Sequence, residues 1–256
     1  MSAGTQRSSN PMLGENVFRN LNSYADSQTM TATGMVMKTA VSLLLCLLTA
    51  GWTYIQFDGG RNLNFNPGPY MWGGAIVGFV LVVLTQFKPQ WSGITTPAYA
   101  LAEGFFVGGI SAIVQMQFPT VPIVFQAAFL TFGVLAVMLV TYQTGLIRVT
   151  ERLRMGVVAC TGAICLLYLA SMLMSLFGWG SIGFIHSSGP WGIGFSLFVV
   201  GLAAFNLLLD FDLTDRLVAQ RAPKYMEWYA AMGLMVTLVW LYIELLRLLS
   251  KLQSRD

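Results

Sequence analysis

The sequence predicts an all-α membrane protein built as a seven-transmembrane helix bundle. Three observations carry this. Only 10% of the residues are charged and 55% are hydrophobic, whereas a soluble domain holds about 25% charged residues. A larger core cannot explain the deficit, because a soluble surface must still be wetted; a bilayer removes that need. Second, seven apolar runs reach or approach the ~20 residues that a helix needs to cross hydrocarbon. Third, the basic residues are distributed unevenly between alternate loops.

Taken in order, the runs are 35–56, 70–87, 95–117, 121–147, 156–178, 191–213 and 229–249. Each must be helical, because its backbone has no water to bond within the bilayer. The second is the shortest and is expected to extend or tilt. Short connections rich in Gly, Pro, Asn or charge separate them, such as "KPQWSG", "QFPTVP" and "QRAPKYME". Three segments follow: a polar cytoplasmic tail over 1–33, the helical domain over 34–250 and a short tail over 251–256. In the first tail Leu13, Val17, Phe18, Leu21 and Tyr24 fall at helical spacing. An amphipathic helix on the membrane face and a disordered tail both fit this pattern. No cleaved signal peptide is expected, since the first apolar run starts late and lacks an A-x-A site.

Several function classes drop out. The net charge of +3 is small and the basic residues are scattered, so nucleic acid is not an expected partner. Cys46, Cys160 and Cys165 lie in apolar runs without a CxxC pair or a nearby His. They read as packing residues, and no cofactor is expected. His186 follows Ser181 by five residues, but no GxSxG elbow or orienting acid accompanies them. An enzyme is therefore not expected. "GAIVG" and "GFFVG" are GxxxG patterns that let helices approach closely.

The acids carry the functional signal. An Asp near the bilayer centre costs about 2.5–3.5 kcal/mol on insertion scales, so intramembrane acids are functional candidates. Glu103 lies inside the third run with no basic residue within two turns. Asp210 and Asp212 end the sixth run, and Asn206 precedes Asp210 by one turn. Spacing alone leaves two readings of these aspartates: a solvated helix end meeting Arg216, or a site inside the membrane. Asp215 adjoins Arg216 and is expected in water. Glu244, with Arg247 and Lys251 on one face, reads as an interfacial ion pair with snorkelling chains. Glu103, Asp210 and Asp212 fall at similar depth. Glu103 and Asp212 are expected to face a shared polar cavity, with Asp210 at its cytoplasmic mouth, as a proton sensor, a cation site or both.

"EGFFVGGIS" in the third run, "LLDFD" ending the sixth and "LVWLYIELLRLL" in the seventh resemble the Bax-inhibitor/YccA family. "APKYMEWYAA" and the tail "RSSNPMLGENVF" resemble a bacterial branch of it. The resemblance covers roughly residues 7–250. It implies a seven-helix bundle with a central last helix, in a bacterial inner membrane. It also implies a pH-sensitive calcium leak, in which aspartates on the sixth and seventh helices form a pair latched by an arginine ending the second. The family's sixth-helix acid follows an aromatic residue, so Phe211-Asp212 matches it best and Asp210 is the fallback. Thr237 stands where the family has its second aspartate, and Gln86 where it has the latch arginine, with Lys88 two residues on. Glu103 is then expected to supply the second carboxylate and Lys88 the cation, with calcium held between Glu103 and Asp212, since calcium favours oxygen ligands. The resemblance also implies a rival role: modulation of a membrane-bound protease through the cytoplasmic tail.

With the N-terminus inside, the cytoplasmic segments hold ten of the 14 basic residues and the outer segments four. The positive-inside rule then places the C-terminus outside. A C-terminal reporter active only in the cytoplasm is expected to stay silent; a strong signal would refute this topology.

Overall fold

The computed structural model describes residues 29–57, 66–178, 183 and 187–254. Within them run seven long helices: α1 (Ala32–Phe57), α2 (Gly68–Phe87), α3 (Ser92–Gln117), α4 (Ile123–Gln143), α5 (Glu151–Leu176), α6 (Pro190–Ala219) and α7 (Met226–Gln253). All seven are long and apolar enough to cross a membrane. No strand occurs among the described residues; Thr29 and Pro223 form an isolated antiparallel bridge. The expected amphipathic stretch over residues 13–24, and the pair Ser181 and His186, lie outside the described residues.

Local chemistry sets the helix starts. Pro190 opens α6 and Pro122 precedes α4, positions where the missing N–H costs nothing. At α5 the Thr150 hydroxyl accepts from Leu153 N at 3.2 Å, and Glu151 lies in the first turn, where the helix dipole favours an acid. Helices α5, α6 and α7 run past their apolar runs, because helix continues where the chain leaves hydrocarbon for the polar interface.

The last helix is the centre of the bundle. It buries 15 residues, against three each in α2, α4 and α5. It packs on α1, α3, α4 and α6. α2 packs along α3 on one flank and α5 along α6 on the other. The larger core joins α4, α6 and α7 through Ile123, Ala127, Leu207, Leu208, Leu238 and Leu241. Large apolar side chains such as Phe79, Phe129 and Leu166 are exposed on the outer faces, as a surface solvated by lipid requires.

Between helices, small residues and hydroxyls replace the hydrophobic drive that lipid cannot supply. Thr49 Oγ1 of α1 donates to Leu101 O of α3 at 3.0 Å. Ser92 and Thr96 of α3 donate to Tyr225 O at 2.8 Å and Trp228 O at 2.9 Å. The "GFFVG" glycines seat α3 on α1. A Cβ on Gly104 would overlap Thr49 and the Cys46 carbonyl, and one on Gly108 would lie 2.5 Å from Ala50 O and 2.8 Å from Ala50 Cα. Gly74 of "GAIVG" abuts the Ala102 carbonyl of α3 in the same way.

Gly108→Leu is therefore expected to destabilise the bundle by about 1–3 kcal/mol or more, the usual range for overpacking. Gly51, where an added Cβ meets nothing within 4 Å, is the control. Unfolding in detergent should separate Gly108→Leu from Gly51→Ala; equal midpoints would contradict the close α1–α3 packing.

Candidate functional site

Residues 210 and 212 are about 200° apart around a helix, so only one of them can face a given neighbour. Asp210 turns toward α7, where its carboxyl lies beside Thr237 and Gly233. Its Oδ2 is shut off from solvent and has no hydrogen-bond partner. The Thr237 hydroxyl donates along its own helix to Gly233 O at 3.3 Å. The Asp210–Thr237 juxtaposition sets the fallback candidate on α6 beside the α7 position where the resemblance expects a second aspartate.

Asp212 faces the other way. Arg154 of α5 bonds its Oδ2, and Arg216 Nε, one turn on, bonds the same oxygen at 2.8 Å. Glu151 completes the group, 3.0 Å from Arg154 and 3.4 Å from Arg216. The Arg216 side chain is 43% exposed and that of Glu151 67%, so this network lies at the surface. Of the two candidates for the sixth-helix position, Asp210, the fallback, faces α7, whereas Asp212, its side chain 16% exposed, ties α6 to α5.

Glu103 of α3 is buried, and a Cβ on Gly78 of α2 would come within 2.8 Å of its Oε2. Tyr99 and Cys46 border it. No hydrogen bond or ion pair reaches its carboxyl among the described residues. Glu103 and Asp212, expected to share a cavity with Asp210 at its mouth, are turned to different neighbours, Gly78 of α2 and Arg154 of α5. α7 stands between α3 and α6, and Asp212 points to α5. Among the described residues no group of three or more His, Cys, Asp or Glu side chains gathers to hold a metal, so the calcium site expected at Glu103 and Asp212 has no such frame there.

The supporting positions are also rearranged. Lys88 lies 4.5 Å over the Trp91 ring instead of latching an aspartate. Gln86 accepts from the Tyr229 hydroxyl at 2.8 Å, joining the end of α2 to the start of α7. Asn206 does not join Asp210: its amide donates to Thr161 Oγ1 of α5 at 2.9 Å and to Leu202 O at 2.9 Å. Asp215 accepts from the Tyr142 hydroxyl at 2.6 Å. Of the cysteines, Cys46 is buried and packs, while Cys160 and Cys165 are exposed on α5.

Glu244 pairs with Arg247 as expected, at 3.1 Å, but it is only 1% exposed. It also accepts from Tyr168 Oη of α5 at 3.0 Å. Lys251 does not snorkel; its ammonium is turned into the bundle, donating to Gly192 O at 2.9 Å and Ser196 Oγ at 2.8 Å of α6. In place of an interfacial pair with snorkelling chains, buried Glu244 joins α7 to α5 through Tyr168, and Lys251 joins α7 to α6.

Sequence reasoning missed Glu227. It opens α7 with its side chain 1% exposed and is held by Lys38 of α1 and by Lys224 at 3.1 Å. Thr31 N and Oγ1 donate to its Oε1 at 2.9 and 3.0 Å. Met30 N donates to Ala222 O at 2.7 Å alongside. A Cβ on Gly34 would overlap the carboxyl. The available signal was Lys38, a lone cation within the first apolar run, which implies a buried acid elsewhere.

The family model described as "Bax inhibitor 1 like" matches residues 10–254. The chain belongs to this family. No curated protein and no solved structure matches it. Membership and seven apolar helices make the protein a multi-pass integral membrane protein in contact with the lipid bilayer.

Lys38→Met would leave Glu227 buried with fewer partners. A hydrogen bond to a charged group contributes about 1.5–3 kcal/mol, and a loss of that size is expected in detergent unfolding. Glu227→Gln on the Lys38→Met background should recover part of it; no coupling between the two substitutions would contradict the buried pair.

Proposed function

We propose that this protein is a proton-regulated cation leak whose responsive group is Asp210, with calcium as the transported cation. The observation that supports this reading is the Asp210 carboxyl oxygen left without a partner, facing Thr237 between α6 and α7. A carboxylate so placed needs either a proton or a passing cation, because an unpaired charge in the bundle is costly. Protonation removes the charge and with it both the attraction for a cation and the field across the α6–α7 contact. Glu103, on the opposite side of α7, is a second carboxyl without an ion-pair partner among the described residues and is assigned a supporting role in the same response. Calcium here is cargo, and the reading includes no resident cofactor and no enzymatic step. It assigns the protein to a bacterial plasma membrane, with the N-terminus cytoplasmic and the C-terminus outside.

A second reading, modulation of a membrane-bound protease through the N-terminal tail, has one observation in its favour. The chain emerging from the tail is fastened to the loop before the central helix by Met30–Ala222 and to that helix's first turn by Thr31–Glu227, so a partner holding the tail would pull on α7. Deleting residues 1–28 discriminates: a modulator loses its effect, whereas a leak still conducts.

The direct test is calcium flux in liposomes across pH. Asp210→Asn keeps the volume and removes the ionisation, so it should lose most of the pH dependence. Asp212→Asn should keep the pH response while lowering stability, because it disturbs the Arg154 and Arg216 contacts. Profiles for Asp210→Asn and wild type that superimpose, from equally folded proteins, would overturn the assignment.

A further inference from the structure

α1 and α4 do not pack along each other, and both lean on α7. Between them lies a cleft of about 280 Å³, with α3 and α7 as its back wall. Leu47 and Gly51 of α1 form one side, Phe125 and Ala128 of α4 the other, and Leu238 and Tyr242 of α7 the floor. Leu47 and Phe125 are also exposed on the outer surface, so the cleft opens where the helices meet lipid.

The chemistry of the lining selects the occupant. No charged side chain borders the cleft. Ser111 Oγ is engaged with Tyr242 Oη at 2.7 Å and Val107 O at 2.6 Å. Thr131 Oγ1 donates to Ala127 O at 2.7 Å. A polar ligand entering here would give up its own hydrogen bonds for few in return, and water needs 2–4 polar partners to be held. Hydrocarbon has no such cost. At about 30 Å³ for a unit the size of a water molecule, the volume takes a segment of about nine methylenes. Tyr54, in the last turn of α1, lines one end of the cleft. An α-helix, about 10 Å across with its side chains, is too wide for so small a space.

We propose that the cleft between α1 and α4 is a binding site for one acyl chain of a membrane phospholipid. Leu238 and Val239 line the cleft and directly follow Thr237, the residue facing Asp210. The bound chain therefore touches the stretch of α7 that carries the candidate site. The binding claim is independent of the leak reading.

The test uses the full-length protein in phosphatidylcholine vesicles doped with a phosphatidylcholine bearing a diazirine midway along one acyl chain. After photolysis, labelled residues are mapped by peptide mass spectrometry. Labels are expected to concentrate several-fold on the cleft residues of α1 and α4, relative to the equally lipid-facing Leu166, Leu169 and Met172 of α5. Gly51→Leu should fill the cleft without a clash, because an added Cβ there meets nothing within 4 Å. It should reduce cleft labelling several-fold while α5 labelling stays constant. Ala128→Leu from the α4 side should do the same, and serves if the first variant does not fold. Uniform labelling of α1, α4 and α5 would mean annular lipid only. Unchanged cleft labelling in a folded variant, or cross-links joining two protein copies through the cleft, would likewise overturn the proposal.

Discussion

An ionisable group held among helices in hydrocarbon must find its counterpart within the protein, because water cannot supply one. Most of the acids near or within this bundle obey that constraint, and in doing so they fasten it. Glu227 ties the start of α7 to α1 through Lys38, and Glu244 ties the far half of α7 to α5 through Tyr168. Asp212 ties α6 to α5 through Arg154. Each contact joins helices whose apolar faces gain little by meeting one another instead of lipid. Against this pattern the Asp210 oxygen without a partner stands out. Most of its fellow acids serve as fasteners; Asp210 is placed against the central helix with its bonding incomplete.

The central position of α7 organises the rest. With α1 and α3 on one side and α4 and α6 on the other, a small movement of α7 is felt by both halves. Glycines permit the close α1–α3 seat, whereas α1 and α4 leave an apolar cleft against the same helix. One flank is thus tightly interlocked and the other is open to lipid.

The fold was legible because hydropathy reports depth directly: a run of about 20 apolar residues has few alternatives. Glu103 and the Asp210 carboxyl are enclosed by the bundle. The face was harder to read. Asp210 and Asp212 differ by two residues, which is a negligible change in depth and a half-turn in direction. The aromatic before Asp212 pointed to the aspartate that faces α5 and not to the one that faces α7, because a neighbour along the chain does not determine which helix lies opposite. Gln86 and Asn206 have partners, Tyr229 and Thr161, that depend on where α2 meets α7 and α6 meets α5, whereas Lys88 turns to Trp91, three residues along the chain. Glu227 escaped notice because it follows Lys224 at the edge of a span and resembles an ordinary first-turn acid.

The central claim is that Asp210, and not Asp212, exchanges a proton within the membrane. Infrared difference spectroscopy of the liposome-embedded protein across pH reports carboxyl protonation directly, without requiring transport. The expected result is a titrating carboxyl band that disappears in Asp210→Asn and persists in Asp212→Asn. A band that survives Asp210→Asn unchanged, or that disappears only in Asp212→Asn, would contradict the claim.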